Sequence, residues 1–246
     1  MKATLNFIIL TAALASLAAC SDKADTGKGG ATPNLADVTA PAAVEAIKQD
    51  VKRASLPKAN KTTPAEAYVE FSSGNQIMFS YLSLAGMPVD YKDIASVYSQ
   101  DFARASDEFR KNDLLTALKP RIDAEVASAG QRRYGKVTID RPVEKYDFDK
   151  KGFPLESSVW EAGSFRYFSD NSAYRLGFSN GDAFRYLGVA AEDSARAIEA
   201  LRSAYEPLQL VVYFYTQEAD VSSKTVKAEI VKVELLGKHG KFLAGQ

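Results

Sequence analysis

The sequence contains very little cysteine or histidine and no excess of either charge. One Cys and one His exclude both a disulfide framework and a zinc site built from Cys and His. A Ser-His-Asp triad would have to use His239, which lies between glycines near the C-terminus, where we expect an exposed turn. The 31 basic residues balance the 31 acidic ones, so the chain lacks the basic excess of nucleic-acid binders. We therefore expect no metal, no cofactor and no nucleic-acid partner.

The N-terminus has the organisation of a secretory signal sequence. Lys2 precedes the uncharged, largely apolar residues 5–19. This stretch has the length of a secretory apolar region and is too short to cross a bilayer as a helix. It is followed at once by Cys20, the only Cys of the chain.

Leu17-Ala18-Ala19-Cys20 resembles the lipobox of bacterial lipoproteins. The resemblance implies that residues 1–19 are removed and that Cys20 becomes the first mature residue, carrying fatty acyl chains such as palmitate. An Asp after the Cys commonly signals retention in the inner membrane, whereas this chain has Ser21. The resemblance therefore implies an outer-membrane anchor with the protein facing the periplasm. Acylation would leave no thiol for nucleophilic chemistry.

The mature chain is predicted to consist of a tether and one domain. Residues 20–40 contain no aromatic residue and are rich in Gly, Ala, Thr, Asp and Lys, as a flexible tether would be. Residues 41–246 are enough for a single domain with its own core. Helical spacing runs to Gly130, strand patterns begin at Tyr134, and residues 190–205 form one further helix. We expect an α+β fold in which N-terminal helices pack on a C-terminal antiparallel sheet.

Local signals refine this expectation. Thr63-Pro64-Ala65-Glu66 predicts the start of a helix, and Asp90 is a candidate N-cap for the next helix. The apolar run 208–216 and the alternating run 225–236 predict two paired strands. The alternation slips at Ile230-Val231, which indicates a bulge.

Asn180-Gly181 stands between two aromatic runs and predicts a type I′ hairpin. In that register Phe178 would lie opposite Ala183, and Arg175 would lie opposite Tyr186.

Aromatic residues and arginines are concentrated between residues 160 and 186. Trp, Tyr and Arg together are typical of the residues that dominate binding energy in protein interfaces. The structural alternative is a sheet with an aromatic core face and Arg/Tyr pairs on its wet face. We expect Tyr167, Arg175 and Tyr186 to be exposed and contiguous. The candidate binding surface comprises Trp160, Arg166, Tyr167, Arg175, Phe184, Arg185 and Tyr186.

Acidic residues offer a second hypothesis. Asp147 and Asp149 alternate along the chain, so their carboxylates could converge in a pocket of a small-ligand-binding or hydrolytic module. That hypothesis requires at least one raised carboxyl pKa. Lys145, Lys150 and Lys151 flank the pair and favour a solvated, charge-balanced turn instead.

Four short segments resemble an uncharacterised domain of proteobacterial lipoproteins: Phe109–Asp113, Leu118–Arg121, Tyr146–Phe148 and Gly152–Pro154. That family has no assigned activity, so the resemblance implies no catalytic residues. The sequence thus predicts a lipid-anchored, non-catalytic lipoprotein that binds an envelope protein or assembly. The ligand-binding or hydrolytic module is the alternative.

Overall fold

A computed structural model describes residues 54–155 and 165–246, together with residues 44, 48, 51, 52, 160, 161 and 163. The predicted signal sequence, Cys20 and the predicted tether lie outside the described residues. The chain divides into two units, residues 1–47 and 48–246, and the description below concerns the second. None of the helices in the described residues is long and apolar enough to cross a bilayer.

Helices and strands alternate only partly along the chain. The helices are α1 (Gly74–Ala85), α2 (Tyr91–Tyr98), α3 (Gln100–Arg104), α4 (Glu108–Gln131) and α5 (Glu192–Ser203). The strands are β1 (Val69–Glu70), β2 (Tyr134–Asp140), β3 (Gly152–Pro154), β4 (Arg166–Phe168), β5 (Asn171–Phe178), β6 (Tyr186–Gly188), β7 (Gln209–Asp220), β8 (Thr225–Leu236) and β9 (Phe242–Gly245). Short 3₁₀ turns lie at Ala65–Ala67, Gly181–Phe184 and Lys238–Gly240.

Seven strands form one sheet in the order β1-β2-β7-β8-β5-β4, with β9 added beside β8. The pairs β1–β2 and β5–β8 are parallel, and the other pairs are antiparallel. β3 and β6 form a separate antiparallel ribbon. The expected combination of helices and sheet is confirmed. The all-antiparallel sheet and the clean separation of helices from strands are wrong, because β1 lies ahead of helices α1 to α4 in the chain and two strand pairs run parallel.

Helix α1 is the centre of the core. It packs against β5, β7 and β8 on one side and α4 on the other, and Ile77 and Met78 are completely buried. Its N-terminus is a capping box: Ser73 caps the first turn, and the Gln76 side chain accepts from the backbone N–H of Ser73.

The helix start predicted at Thr63 is wrong. Residues 65–67 make only one 3₁₀ turn, and the chain then extends into β1. Tyr68 packs edge-to-face on Tyr134 and Tyr213 in a small outer cluster, whereas Phe71 packs on Phe214 in the main core. From one continuous helix, the rings of Tyr68 and Phe71 could not reach two separate clusters. Tertiary packing therefore overrides the local helix signal.

The sheet curls until its two ends approach each other. At the β4–β5 turn, the Asp170 carboxylate accepts from the Ser73 hydroxyl (2.6 Å) and from the Gly74 backbone N–H (2.9 Å) at the start of α1. At the same end of the sheet, the Arg166 guanidinium of β4 donates to the Thr138 carbonyl of β2 (3.2 Å). The last strand of the sheet therefore lies close to the second strand, and α1 lies inside the curl.

Several local predictions are confirmed. Asp90 caps α2 by accepting from two backbone N–H groups. β7 and β8 pair along their length. Tyr213 pairs with Lys232 and Phe214 with Ile230, so Val231 is the extra residue of the expected bulge.

The predicted Asn180-Gly181 hairpin is wrong. β5 runs beside β8 instead, where Arg175 lies opposite Thr225, and Tyr186 lies opposite Pro154 in the β3–β6 ribbon. The Asn180 side chain accepts from Ile230 N–H (2.8 Å) and donates to Ile230 C=O (2.9 Å). It extends the pairing of β5 with β8 beyond Phe178 and Ala228, so the residue that signals a local turn is used for a contact distant in sequence.

Gly74 is required at the start of α1, where an added Cβ would lie 2.3 Å from the Asn171 carbonyl oxygen. We expect Gly74→Ala to lower the free energy of unfolding by about 1–3 kcal/mol or more, the usual range for overpacking. Gly130→Ala is the matched control inside α4, where the nearest atom would be 3.7 Å away. It should raise stability by about 0.5–1 kcal/mol, since alanine favours helix. Urea unfolding measures both, and equal effects would contradict the close approach.

Candidate functional site

The structure divides the predicted binding surface into separate parts. Trp160 is only 2% exposed and stacks on Phe178 in the main core. Phe184 and Tyr186 are half-buried near the β3–β6 ribbon, while Arg185 is exposed and paired with Asp182 of the same turn. The remaining residues, Arg166, Tyr167 and Arg175, belong to the β4–β5 end of the large sheet. The expected contiguity of Arg175 with Tyr186 depended on the incorrect hairpin and is not present.

Phe165, Tyr167 and Arg175 form what we call the β4 surface, while Arg166 lies on the other face of β4, in register with the buried Leu176. Phe165 is 37% and Tyr167 55% exposed, and their ring centroids lie 6.3 Å apart. The Arg175 side chain extends from β5 towards β4, and its guanidinium carbon lies 4.1 Å from the centroid of the Phe165 ring. Such a cation–aromatic contact holds the guanidinium in place without neutralising its charge. Phe165 is the member that the sequence prediction missed, although it alternates with Tyr167 as strand neighbours on one face do.

Arg166 and Arg175 both have a buried Nε–H without an acceptor among the described residues. Arg166 makes one hydrogen bond, to Thr138 C=O, and its Nε makes none. Burial lowers the pKa of Arg166, and the nearby Asp140 partly opposes this shift. Within the described part of the chain, neither Arg166 nor Arg175 lies within ion-pair distance of a carboxylate. The two cations nevertheless lie on opposite faces, because Arg166 is paired in register with the buried Leu176, whereas Arg175 lies over the Phe165 ring.

Asp147 and Asp149 do not form an acidic pair. The Asp147 carboxylate accepts from the backbone N–H groups of Asp149 and Lys150, both at 2.9 Å, and so caps its own turn. The Lys150 N–H is the largest of the interactions that lower the pKa of Asp147. The Asp149 side chain is exposed. The raised pKa expected for a catalytic carboxyl is therefore wrong for Asp147.

Tyr186 lies beside this turn. Burial, together with the hydrogen bond and negative charge of Asp147, raises the pKa of Tyr186 to about 12. The Tyr186 hydroxyl also lies 3.2 Å from the Gly152 carbonyl, and the Lys150 ammonium lies 5.3 Å from the ring centroid. These contacts hold the β3–β6 ribbon to its loop, which is a structural role.

A shallow pocket of about 300 Å³ lies between α5 and the loop carrying Tyr146 and Phe148. Phe148 is 83% exposed and packs edge-to-face on Tyr146. Glu192 and Glu199 line the pocket from one face of α5, a placement that their seven-residue spacing could have indicated. Arg196 pairs with Glu192 and Arg202 pairs with Glu199. Both carboxylates are thus already neutralised, and the pocket offers no unpaired acid.

The other sequence candidates carry no further chemistry. His239 lies in the exposed turn at Lys238–Gly240, as expected. No group of three or more His, Cys, Asp or Glu residues within the described ranges could hold a metal ion.

No family model, no curated protein and no solved structure matches this chain. The resemblances to a lipobox and to a lipoprotein domain therefore stay predictions.

Asp170 positions the β4 surface, since its turn joins β4 to β5. Partial burial raises the pKa of this carboxyl, but donation from Gly74 N–H and the Ser73 hydroxyl outweighs burial, and the pKa is lowered. A lowered folded-state pKa contributes stability above the unfolded pKa of about 4, and this contribution is lost as the pH falls through the folded pKa. We expect Asp170→Asn to cost about 1 kcal/mol at neutral pH, as loss of a helix cap does, and less in acid.

Urea unfolding at neutral pH and at about pH 3 tests this prediction. Asp182→Asn is the control, because its carboxylate pairs only with the exposed Arg185 and should contribute little. A loss for Asp170→Asn that is unchanged in acid would show that the carboxylate charge is unimportant.

Proposed function

We propose that this protein is a lipid-anchored, periplasm-facing envelope lipoprotein that binds another envelope protein without catalysis. The proposal has two parts. The anchor is inferred from Leu17-Ala18-Ala19-Cys20 and from the presence of the only Cys of the chain at that position. The binding function is inferred from the β4 surface.

One observation carries the binding function: two exposed aromatic rings in mutual contact lie at the end of a sheet, beside an arginine that has no counter-ion among the described residues. Single exposed apolar residues are ordinary on protein surfaces. A contacting Phe165–Tyr167 pair with Arg175 stacked on it instead has the composition of an interface centre. The ligand-binding or hydrolytic alternative has weaker support, because Asp147 caps a turn and the two glutamates of the α5 pocket are ion-paired.

The anchor is tested by Cys20→Ala. This variant should incorporate no labelled palmitate and should be recovered in the soluble periplasmic fraction, whereas the unmodified protein should be in the outer membrane. Ser21→Asp is the companion variant, and it should keep the acyl label but move to the inner-membrane fraction. Membrane recovery of Cys20→Ala, or a Cys20 thiol that reacts with maleimide in the mature protein, would contradict the anchor.

The binding function is tested by mild crosslinking in intact envelopes, followed by purification and mass spectrometry. We expect a specific protein partner that is lost in the double variant Tyr167→Ala/Arg175→Glu. The matched control is Tyr205→Ala/Arg196→Glu on and just beyond α5, since Tyr205 is 89% exposed and Arg196 is also exposed. A partner retained by both variants would place binding elsewhere. A bound small molecule without any protein partner would favour the ligand hypothesis.

A further inference from the structure

The hairpin between β8 and β9 carries an exposed basic turn at residues 238–242, which we call the 238–242 turn. Lys238, His239 and Lys241 are all exposed, and residues 235–246 contain no acidic residue. Neither lysine lies within ion-pair distance of a carboxylate in the part of the chain that the structure describes. The turn therefore leaves two positive charges open to a partner outside the fold.

Backbone hydrogen bonds hold this turn in one conformation. The Gly237 N–H donates to the Lys241 carbonyl at 2.8 Å, and the Gly240 N–H donates to the Gly237 carbonyl at 3.1 Å. His239 and Gly240 both have positive φ angles, 59° and 74°, which let the chain reverse within these few residues. Because the turn is already formed, a partner that binds it does not have to order the backbone.

The acids at this end of the large sheet are engaged by other groups. Asp140 at the end of β2 accepts from the Gln209 amide at 3.0 Å. Glu234 near the end of β8 accepts from the Lys232 ammonium at 2.6 Å. The sheet therefore supplies neither of these carboxylates to the lysines of the turn.

An exposed phenylalanine follows the two lysines. Phe242 is 60% exposed and is paired in register with Leu236, and a Cβ added to Gly245 would lie 3.2 Å from its ring. Phe109 and Phe148 are more exposed, but both have acidic residues as neighbours in the chain. Phe242 is instead preceded by the basic turn. An exposed aromatic ring beside lysines is typical of segments that bind at a membrane interface.

We propose that the 238–242 turn contacts the surface of the bilayer that holds the lipid anchor. In this contact Lys238 and Lys241 lie at the phosphates of anionic lipids, and the Phe242 ring enters the interface. The inference rests on the proposed anchor and adds a second point of attachment. Each lysine near an anionic lipid surface strengthens attachment about fivefold. An acidic protein could pair with the same lysines, but the anchor would keep the bilayer continuously within reach, and the bilayer also takes up the exposed ring.

This contact orients the domain, which a flexible tether cannot do. Arg175 of the β4 surface lies opposite Thr225 at the start of β8, whereas Phe242 lies opposite Leu236 at its end. At about 3.3 Å per residue, the two ends of β8 are roughly 30 Å apart. With the 238–242 turn on the bilayer, the β4 surface is at the far end of β8, where it can meet a partner protein.

The test uses the full-length acylated protein in vesicles of phosphatidylglycerol and phosphatidylcholine with brominated acyl chains, which quench indole fluorescence on contact. Phe242→Trp introduces the reporter, and the unmodified protein, whose one Trp is the buried Trp160, gives the background. We expect the added indole to be quenched, and less so when salt is added or phosphatidylglycerol is left out. Tyr167→Trp is the matched reporter at the β4 surface, where Tyr167 is 55% exposed, and it should not be quenched.

Lys238→Gln/Lys241→Gln, made together with Phe242→Trp, should remove most of the quenching, because the loss of both lysines weakens attachment about 25-fold. Lys92→Gln/Arg104→Gln is the matched control. It removes the same charge from exposed positions of α2 and α3, which pack on α4, and should leave the quenching unchanged. Circular dichroism checks that the variants remain folded. No quenching, equal quenching of the two reporters, or quenching that ignores the two lysines would overturn the proposal.

The anchor and the membrane contact can fail separately. A protein that floats with the vesicles while its Phe242→Trp reporter stays unquenched would leave the anchor in place and overturn the contact. A mature protein without an acyl chain would contradict the anchor. Its free Cys20 thiol could then be coupled to a maleimide lipid, and quenching of the same reporter would support the contact, whereas its absence would overturn it.

Discussion

The junction between the start of α1 and the β4–β5 turn determines how the whole sheet is arranged. Asp170 accepts from Ser73 and Gly74, and the buried Asn171 amide donates to Asn75 Oδ1 at 3.1 Å. The backbones approach so closely that residue 74 has no room for a Cβ. Because α1 fills the inside of the curl, this junction fixes the last strands relative to the helix. β4 has only three residues and one strand neighbour, so its place depends on the turn that Asp170 holds.

Polar side chains elsewhere in the described chain join strands and segments together. Arg133 donates to the carbonyls of Thr216 and Gln217, and the Gln217 amide donates to the Pro57 carbonyl at 2.8 Å. β8 pairs with β5 along one part of its length and with β9 along another, and the Asn180 side chain bonds to Ile230 between these two parts. The cost of burying an unpaired donor is normally removed by a partner within the fold, so the unused Nε donors of Arg166 and Arg175 are exceptions, as are Tyr68 Oη and Trp160 Nε1 in the hydrophobic clusters. Sites that break such a rule are where function is expected.

The elements that could be predicted from the sequence are those with a pattern that continues over many residues, or with a signal residue whose partners lie nearby in the chain. β7, β8 and the bulge at Val231 follow from apolar alternation over many residues, and the Asp90 cap follows from its own helix. Two short signals were misread because distant residues determine them. Asn180 bonds to Ile230, which is 50 residues away, and Tyr68 is drawn to the outer cluster with Tyr213. The candidate surface was predicted in part: Tyr167 and Arg175 come together with Phe165. Arg166 lies on the inner face of β4, Trp160 is part of the core, and Tyr186 belongs to the ribbon. Residues that are close in sequence were therefore grouped into one surface, although their strands belong to different sheets.

A short edge strand also constrains how tightly the β4 surface can bind. β4 has three residues, so a partner bound at this surface would be held mainly by the side chains of Phe165, Tyr167 and Arg175. Weak binding would be sufficient for the anchored protein proposed above. The tether predicted at residues 20–40 would, as a flexible coil, have a root-mean-square span of roughly 25 Å, and partners confined within such a reach meet at millimolar effective concentration. The lipid anchor proposed at Cys20 and the β4 surface would therefore be complementary: the anchor would supply the concentration, and the two exposed rings with Arg175 would supply the selectivity.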